Sequence, residues 1–250
     1  MENHSYDEII GSSSAPYLNG LARRYGLATN YHGVTHPSLP NYLAMIGGST
    51  FGISSDCTSC SVDATNLGDQ LDAKGVAWRG YFEGMPSPCY QGASYGSYAK
   101  KHDPFVYFRD ISSDASRCRA HVVPLGSFGP DLSGRSTPGL SFIVPNLCND
   151  MHDCSVATGD SWLRSFVPPI LASAAFKDGG TLVITFDEDN GSSANHIMTL
   201  VISRSIRSGA RTSANLNHYS LLRAIEGEFG ASPLREAASA RSLFAAFGLP

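Results

Sequence analysis

Four places in this sequence gather side chains that can bind a cation, attack an electrophile or move a proton. The run Thr181-Leu-Val-Ile-Thr-Phe-Asp187-Glu188-Asp189-Asn190-Gly191 reads as a buried strand ending in three consecutive acids. Carboxylates crowded at one strand end repel one another unless positive charge lies between them, and a divalent cation on oxygen ligands is an economical source of it. A solvated acidic turn is the competing use of the same residues. Asn195 and His196 follow closely and return an imidazole to the same sheet edge, which favours a metal or phosphate site. The second place is His36-Pro-Ser38-Leu-Pro40-Asn41. Pro40 suits the first turn of a helix, so Ser38 falls at or just before its N-cap. There the free N–H groups and the positive dipole end lower the cost of a serine alkoxide and bind a phosphate attached to it. A plain capping hydroxyl is the alternative. In the third, Pro145-Asn146-Leu-Cys148-Asn-Asp150-Met-His152-Asp153-Cys154, a small disulfide loop would hold His152 and Asp153 over the same crevice. The fourth, Glu2-Asn3 at the amino end, offers two oxygens suited to a hard cation. Asn217-His218 opens a helix and reads as a cap with His218 packed locally.

These groups need a scaffold that brings distant segments to one edge. Apolar runs over 76–82, 141–144, 181–186 and 196–202 read as strands. Helical spacing of Leu18, Leu21, Ala22 and Tyr25 stops at Gly26, that of Leu67 and Leu71 at Gly75, and that of Leu221, Leu222, Ile225 and Phe229 at Gly230. The Ala-rich segment 234–247 also reads as helical. Strands separated by helices predict an α/β fold with a mainly parallel central sheet flanked by helices. Its ligand crevice lies at the carboxyl ends of the strands. The chain reads as one domain over 1–250, with 49–138 as a loop-rich insertion or lid. The aromatics of that stretch, Phe51, Trp78, Tyr81, Phe82, Tyr90, Tyr95, Tyr98, Phe105, Tyr107 and Phe108, are assigned to core packing ahead of a lipid groove.

Composition narrows the function classes. The 42% apolar and 16% charged residues of the 250-residue chain can bury a sizeable core, which excludes a disordered chain. With 18 Lys and Arg against 22 Asp and Glu, a net charge of −4 and no basic run, a nucleic-acid partner is not expected. No stretch is long enough for a transmembrane segment, and the polar opening Met1-Glu2-Asn3-His4 has no signal-peptide core. The six cysteines lie in polar loops. Disulfides are expected, Cys148 with Cys154 and Cys89 with Cys118, ahead of a redox or zinc role for the Cys57/Cys60 CxxC.

Taken in order, ENHSYDEIIG, THPSLPNYLAMIGG, VPNLCNDMHD, GDSWL leading into TLVITFDEDNG, and NHYSLLRAIEGEFG resemble the phosphoesterase family of acid phosphatases and phospholipases C, within the alkaline phosphatase superfamily. The blocks span nearly the whole chain. SLPNYLAMIGG is also similar to the nucleophile segment of nucleotide pyrophosphatases. The resemblance implies an alkaline phosphatase-like three-layer sandwich and metal-dependent hydrolysis of phosphate monoesters. Glu2, Asn3, Asp187 and Glu188 would hold one divalent ion (Ca, Mg, Mn or Zn), with Ser38 as nucleophile. Asn41 would donate to a phosphate oxygen, and His196 would contact the phosphate or protonate the leaving alcohol. His36, His152 and Asp153 are further candidates, and His218 is carried over only weakly. The partner would be a small phosphate ester or a phospholipid headgroup. The open alternatives are a phospholipase C or other phosphodiesterase, and a non-catalytic secreted binding protein. Family members place a hydrophobic strand before the Glu-Asn pair, so either the start is truncated or the pair hangs on an unanchored terminus, and the full-length form is expected to be secreted or periplasmic. Asn195 stands where many relatives carry an acid.

Overall fold

The strand at the centre of the larger sheet, Gly26–His32, begins where helical spacing breaks off at Gly26 and is missed by hydrophobic patterning. Leu27, Ala28 and Tyr31 are fully buried, but Thr29, Asn30 and His32 dilute the apolar signal. The computed structural model describes residues 1–134, 137–192 and 194–249. Among these, the strands in chain order are β1 Gly26–His32, β2 Trp78–Phe82, β3 Ser94–Tyr95, β4 Tyr98–Ala99, β5 Val122–Pro124, β6 Leu140–Val144, β7 Leu182–Thr185, β8 His196–Ile202, β9 Arg211–Thr212 and β10 Leu216–Asn217.

The fold is α/β, with its strands divided between sheets. One sheet is mixed, in the order β10-β1-β8-β7 with β9 also on β1. In it β1 runs parallel to β9 and β10, whereas β8 runs antiparallel to both β1 and β7. The second sheet, β5-β2-β6, is wholly parallel, and β3 pairs with β4 as a separate hairpin. The mainly parallel central sheet expected from the sequence is therefore interrupted at β8. The acidic turn joining β7 to β8 is shorter than a crossover connection, so the chain returns antiparallel.

Helices on these sheets are fixed by caps the sequence supplies. Asn217 accepts from Tyr219 N and Ser220 N and starts the helix His218–Glu228. The buried Asp160, on the helix Val156–Ala172, accepts from Tyr17 N and Leu18 N at the start of the helix Pro16–Arg24. The helix expected over 234–247 is replaced by two 3₁₀ turns, Arg235–Ala238 and Ala245–Phe247. Tertiary bonds override its propensity: Leu234 N donates to Glu226, Glu236 N to the Gly48 carbonyl, and Leu243 N to the Ser220 carbonyl.

Among the described residues two large apolar cores form, with a smaller third cluster around Tyr81, Val123 and Phe128. Leu27, Tyr31, Ile184, Phe186, Ile197 and Leu200 belong to the core of the mixed sheet. Trp78, Phe82, Tyr98, Phe105 and Phe108 belong to that beside the parallel sheet. The 49–138 segment, expected to be a loop-rich insertion, supplies β2, β5 and most of this second core. Its aromatics are packed as expected, apart from the exposed Tyr95. Three disulfides, Cys57–Cys60, Cys89–Cys118 and Cys148–Cys154, tie down the polar loops. Among the described residues no helix is long and apolar enough to cross a membrane.

Candidate active site

Ser38 is the first residue of the helix Ser38–Gly47, one step further into the helix than a capping position. Pro37 precedes it in extended conformation after a cis His36–Pro37 bond, and Pro40 sits in the first turn, where no intrahelical donor is lost. The helix is buried along its whole length, and Gly48 ends it in the left-handed region (φ 68°). Asp56 accepts from Leu39 N at 2.9 Å and occupies one of the free N–H groups of the first turn.

The Ser38 hydroxyl lies between two acids. Its Oγ is 3.0 Å from Glu188 Oε1 and 3.3 Å from Glu2 Oε2, with all three residues buried. Glu188 comes from the end of β7, and its other oxygen is hydrogen-bonded to His36 Nδ1. Glu2 is led in by Met1, whose amino group donates to the Thr185 carbonyl and whose carbonyl accepts from Asp187 N. Glu2 N in turn donates to the Asp150 carbonyl, and Tyr42 on the Ser38 helix donates its hydroxyl to Glu2 Oε1. Asn3 follows in the left-handed region (φ 57°), which asparagine tolerates.

Behind this pair, Glu2, His102 and Asp150 offer ligand atoms within 4.8 Å of one another, all buried. His102 Nε2 is 3.3 Å from Glu2, and its Nδ1 is 3.5 Å from Asp150. Among the described residues, both oxygens of Asp187, Oδ2 of Asp150 and Nε2 of His102 have no hydrogen-bond partner. Buried polar atoms are rarely left in that state. Burial, reinforced by the neighbouring acids, raises Glu2 well above the carboxylate range. Burial likewise raises Asp187, and it raises Asp150 to about 6. Glu188 is pushed up to about 7 by burial and by Asp187 beside it. Burial drives His102 down to about 3, so it is neutral with lone pairs to offer. Converging carboxylates, a neutral imidazole and unpartnered oxygens form a donor set that fits a divalent cation. Glu2, Asp187, Asp150 and His102 could hold it, with Glu188 joined to Glu2 through the Ser38 hydroxyl.

The other predicted residues take varied places. Asn41 is fully buried and committed to backbone: its Nδ2 donates to the Thr35 and Pro37 carbonyls, and its Oδ1 accepts from Val34 N and Thr35 N. These bonds shape the loop before Ser38. His152 donates Nδ1 to Asp153 at 2.6 Å and faces Lys101 Nζ through Nε2 at 3.2 Å. His36 also reaches Asp189, at 3.4 Å. Burial opposes its charge, but the Glu188 hydrogen bond and the acids around it raise its pKa overall. His196 contacts the Thr29 carbonyl and stacks on Tyr6 and His32, and the structure does not bring it into the Ser38 cluster. His218 is buried and neutral, lowered by burial to about 4, and its Nε2 donates to the Asp187 carbonyl while Nδ1 accepts from Tyr31. It positions the acidic strand end from behind. Asn195 links Asp189 N to the Thr35 carbonyl, joining the acidic turn to the serine loop.

Sequence reasoning missed Tyr42, Asp56, Lys101, His102 and Asp150 as site residues. A signal for two of them exists in Lys100-Lys101-His102-Asp103-Pro104, a charged string inside an aromatic stretch.

The fold is that of the alkaline phosphatase superfamily. A superfamily protein from Vibrio parahaemolyticus aligns with a TM-score of 0.67 at 12% identity, covering 99% of this chain and 70% of that one. The phosphonate monoester hydrolase of Silicibacter pomeroyi aligns with a TM-score of 0.62 at 11% identity, over 97% and 74%. The chain belongs to the Phosphoesterase family, whose profile matches residues 12–232. It is 37% identical to a phosphatidylinositol-3-phosphatase of Mycobacterium tuberculosis over 92% of this chain and 74% of that protein. It is 32% identical to an acid phosphatase of Aspergillus fumigatus over 92% of this chain and 53% of that protein. The chain thus spans about three quarters of the mycobacterial relative and about half of the fungal one.

Proposed function

We propose that this chain hydrolyses phosphate monoesters, with Ser38 as nucleophile and one divalent ion beside it. The observation that carries this reading is the Ser38 hydroxyl held between Glu188 and Glu2 at the start of a buried helix. When bound, the ion supplies positive charge that screens the phosphate and stabilises the serine alkoxide. Glu188, raised to about 7, is poised to take the Ser38 proton through its 3.0 Å hydrogen bond, and His36 steadies its other oxygen. The Oγ–P bond forms as the ester P–O bond breaks and the leaving alkoxide takes a proton from water; water then attacks the phosphoserine, inorganic phosphate leaves, and the proton held by Glu188 returns to Ser38 Oγ. Asp56 holds the first turn of the helix, and Asn41 fixes the loop before it, so the nucleophile is oriented by backbone bonds.

The substrate is a small phosphate ester or a phospholipid headgroup bearing the same monoester. Three disulfides support a secreted or periplasmic setting. The test compares nitrophenyl phosphate with bis-nitrophenyl phosphate, each with and without chelator. Chelator-sensitive monoester turnover is expected, falling by about 10³-fold or more in Ser38→Ala with the fold retained. A diester preference would transfer the reading to a phosphodiesterase such as a phospholipase C. Silence on both esters from folded, metal-supplied wild type would leave a non-catalytic binding protein.

A further inference from the structure

Lys101 stands at the mouth of an acidic cluster with part of its hydrogen-bonding capacity unused. Its ammonium is 3.1 Å from Asp56 Oδ2 and 3.2 Å from His152 Nε2. Asp153 fixes the imidazole so that Nε2 is the acceptor, since Nδ1 donates to Asp153. An ammonium has three donors, and two are engaged. Asp56 uses its second oxygen on Leu39 N, so the lysine is tied to the residue next to Ser38. The side chain is 22% exposed, which leaves the third donor within reach of a ligand. Lys100, its neighbour, turns away to the Thr58 carbonyl and the Tyr107 ring. Among the described residues, Lys101 is the lysine or arginine bonded into the cluster around Ser38.

We propose that Lys101 binds a non-bridging phosphoryl oxygen of the substrate and selects monoesters over diesters. The inference rests on the phosphatase reading above and specifies its substrate class. A monoester near neutral pH carries close to two charges and three free oxygens. A diester keeps one charge and two free oxygens. Around Ser38 stand Glu2, Asp187 and Glu188, so a second negative charge on the substrate is costly without a further cation. Lys101 supplies it, aimed by Asp56 and His152.

The experiment measures binding of inorganic phosphate by calorimetry, and kcat/KM on nitrophenyl phosphate and bis-nitrophenyl phosphate, for wild type, Lys101→Met and Lys101→Arg. Phosphate affinity is expected to fall by about 10- to 100-fold in Lys101→Met, the loss of one charge-assisted hydrogen bond. Monoester kcat/KM should fall at least tenfold more than diester kcat/KM, and Lys101→Arg should recover most of the phosphate affinity. If Lys101→Met does not fold, Lys101→Gln, which can still donate to Asp56, is measured in its place. Phosphate affinity within twofold of wild type, or equal losses on both esters, would overturn the proposal and leave Lys101 as a structural tie. The phosphate arm needs no turnover, so wild type that binds phosphate through Lys101 yet hydrolyses neither ester refutes only the catalytic reading.

Discussion

Tyr42 controls the cluster without belonging to its ligands. Its buried hydroxyl donates to Glu2 Oε1, and its ring stacks on His102 at 5.3 Å, so one side chain orients two members of the triad. Such supporting contacts are worth about 10- to 100-fold in metal affinity. Tyr42→Phe keeps the ring and removes only the hydroxyl. It should weaken divalent-metal binding by about that factor while the metal-free melting temperature changes little, as read by metal titration and thermal unfolding. Unchanged affinity would show that Glu2 is oriented by its backbone alone. Residues of this kind explain what was legible. Ser38, Asp187, Glu188 and Glu2 stand in motifs whose chemistry is written in adjacent letters. Tyr42, Asp56, Lys101 and His102 acquire meaning only when the Ser38 helix, the Cys57–Cys60 loop and the turn after β4 meet in space.

At the scale of elements, β6 and β7 present facing sheet edges. β6 pairs with β2 and β7 with β8, each on one side only among the described strands. Between them runs an apolar cavity of about 350 Å³, lined by Phe142, Val144, Phe166, Val183 and Ile225, with Met1 at its end. Met1 already bonds to Thr185 and Asp187 in the pattern of a parallel ladder centred on Phe186. An apolar strand leading into Met1 would pair the β7 edge and fill this space. Each Val or Ile buried contributes about 1.5–3 kcal/mol, against about 1–2 kcal/mol for ordering each residue. A net gain of about 2 kcal/mol raises Tm by roughly 4–8 °C in a protein of this size. Fusing five Val/Ile-rich residues upstream of Met1 should therefore raise Tm, and a Gly/Ser extension of equal length should not. Equal melting of the two would sink the idea. The same patterning arguments found β2, β6, β7 and β8 because apolar residues dominate their runs. They missed β1, whose polar Thr29, Asn30 and His32 sit on a half-buried face.

Across the whole molecule, buried ionisable groups set how stability responds to pH. Asp103, fully buried in the second core, is raised by burial to about 8. Glu226, beneath the 234–238 turn, is raised by burial to about 7. Glu188 and Asp150 in the site shift the same way, to about 7 and about 6. An acid whose folded pKa lies above its unfolded value gives stability that is complete below about pH 4 and lost as pH rises through the folded value. His102 and His218 act in the opposite sense, because their lowered folded values give stability present above about pH 6.5 and lost as pH falls toward 4 and 3. The two sets oppose each other between about pH 4 and 6.5, and above that the carboxylates and His36, whose raised folded value likewise gives stability lost as pH rises, act in one sense. The metal-free protein should therefore lose Tm steadily from pH 6.5 to 8.5. Asp103→Asn keeps the acceptor for Phe105 N, turns its amide NH2 into a donor toward the Tyr98 hydroxyl and removes the charge, and should flatten that fall. A saturating divalent ion should flatten the remainder, because its charge favours the ionised site carboxylates that burial now opposes. A pH–Tm series on wild type and Asp103→Asn, with and without chelator, separates the two contributions. A Tm that rises with pH in the chelated wild type would mean that the buried acids are already ionised and paired in the folded state.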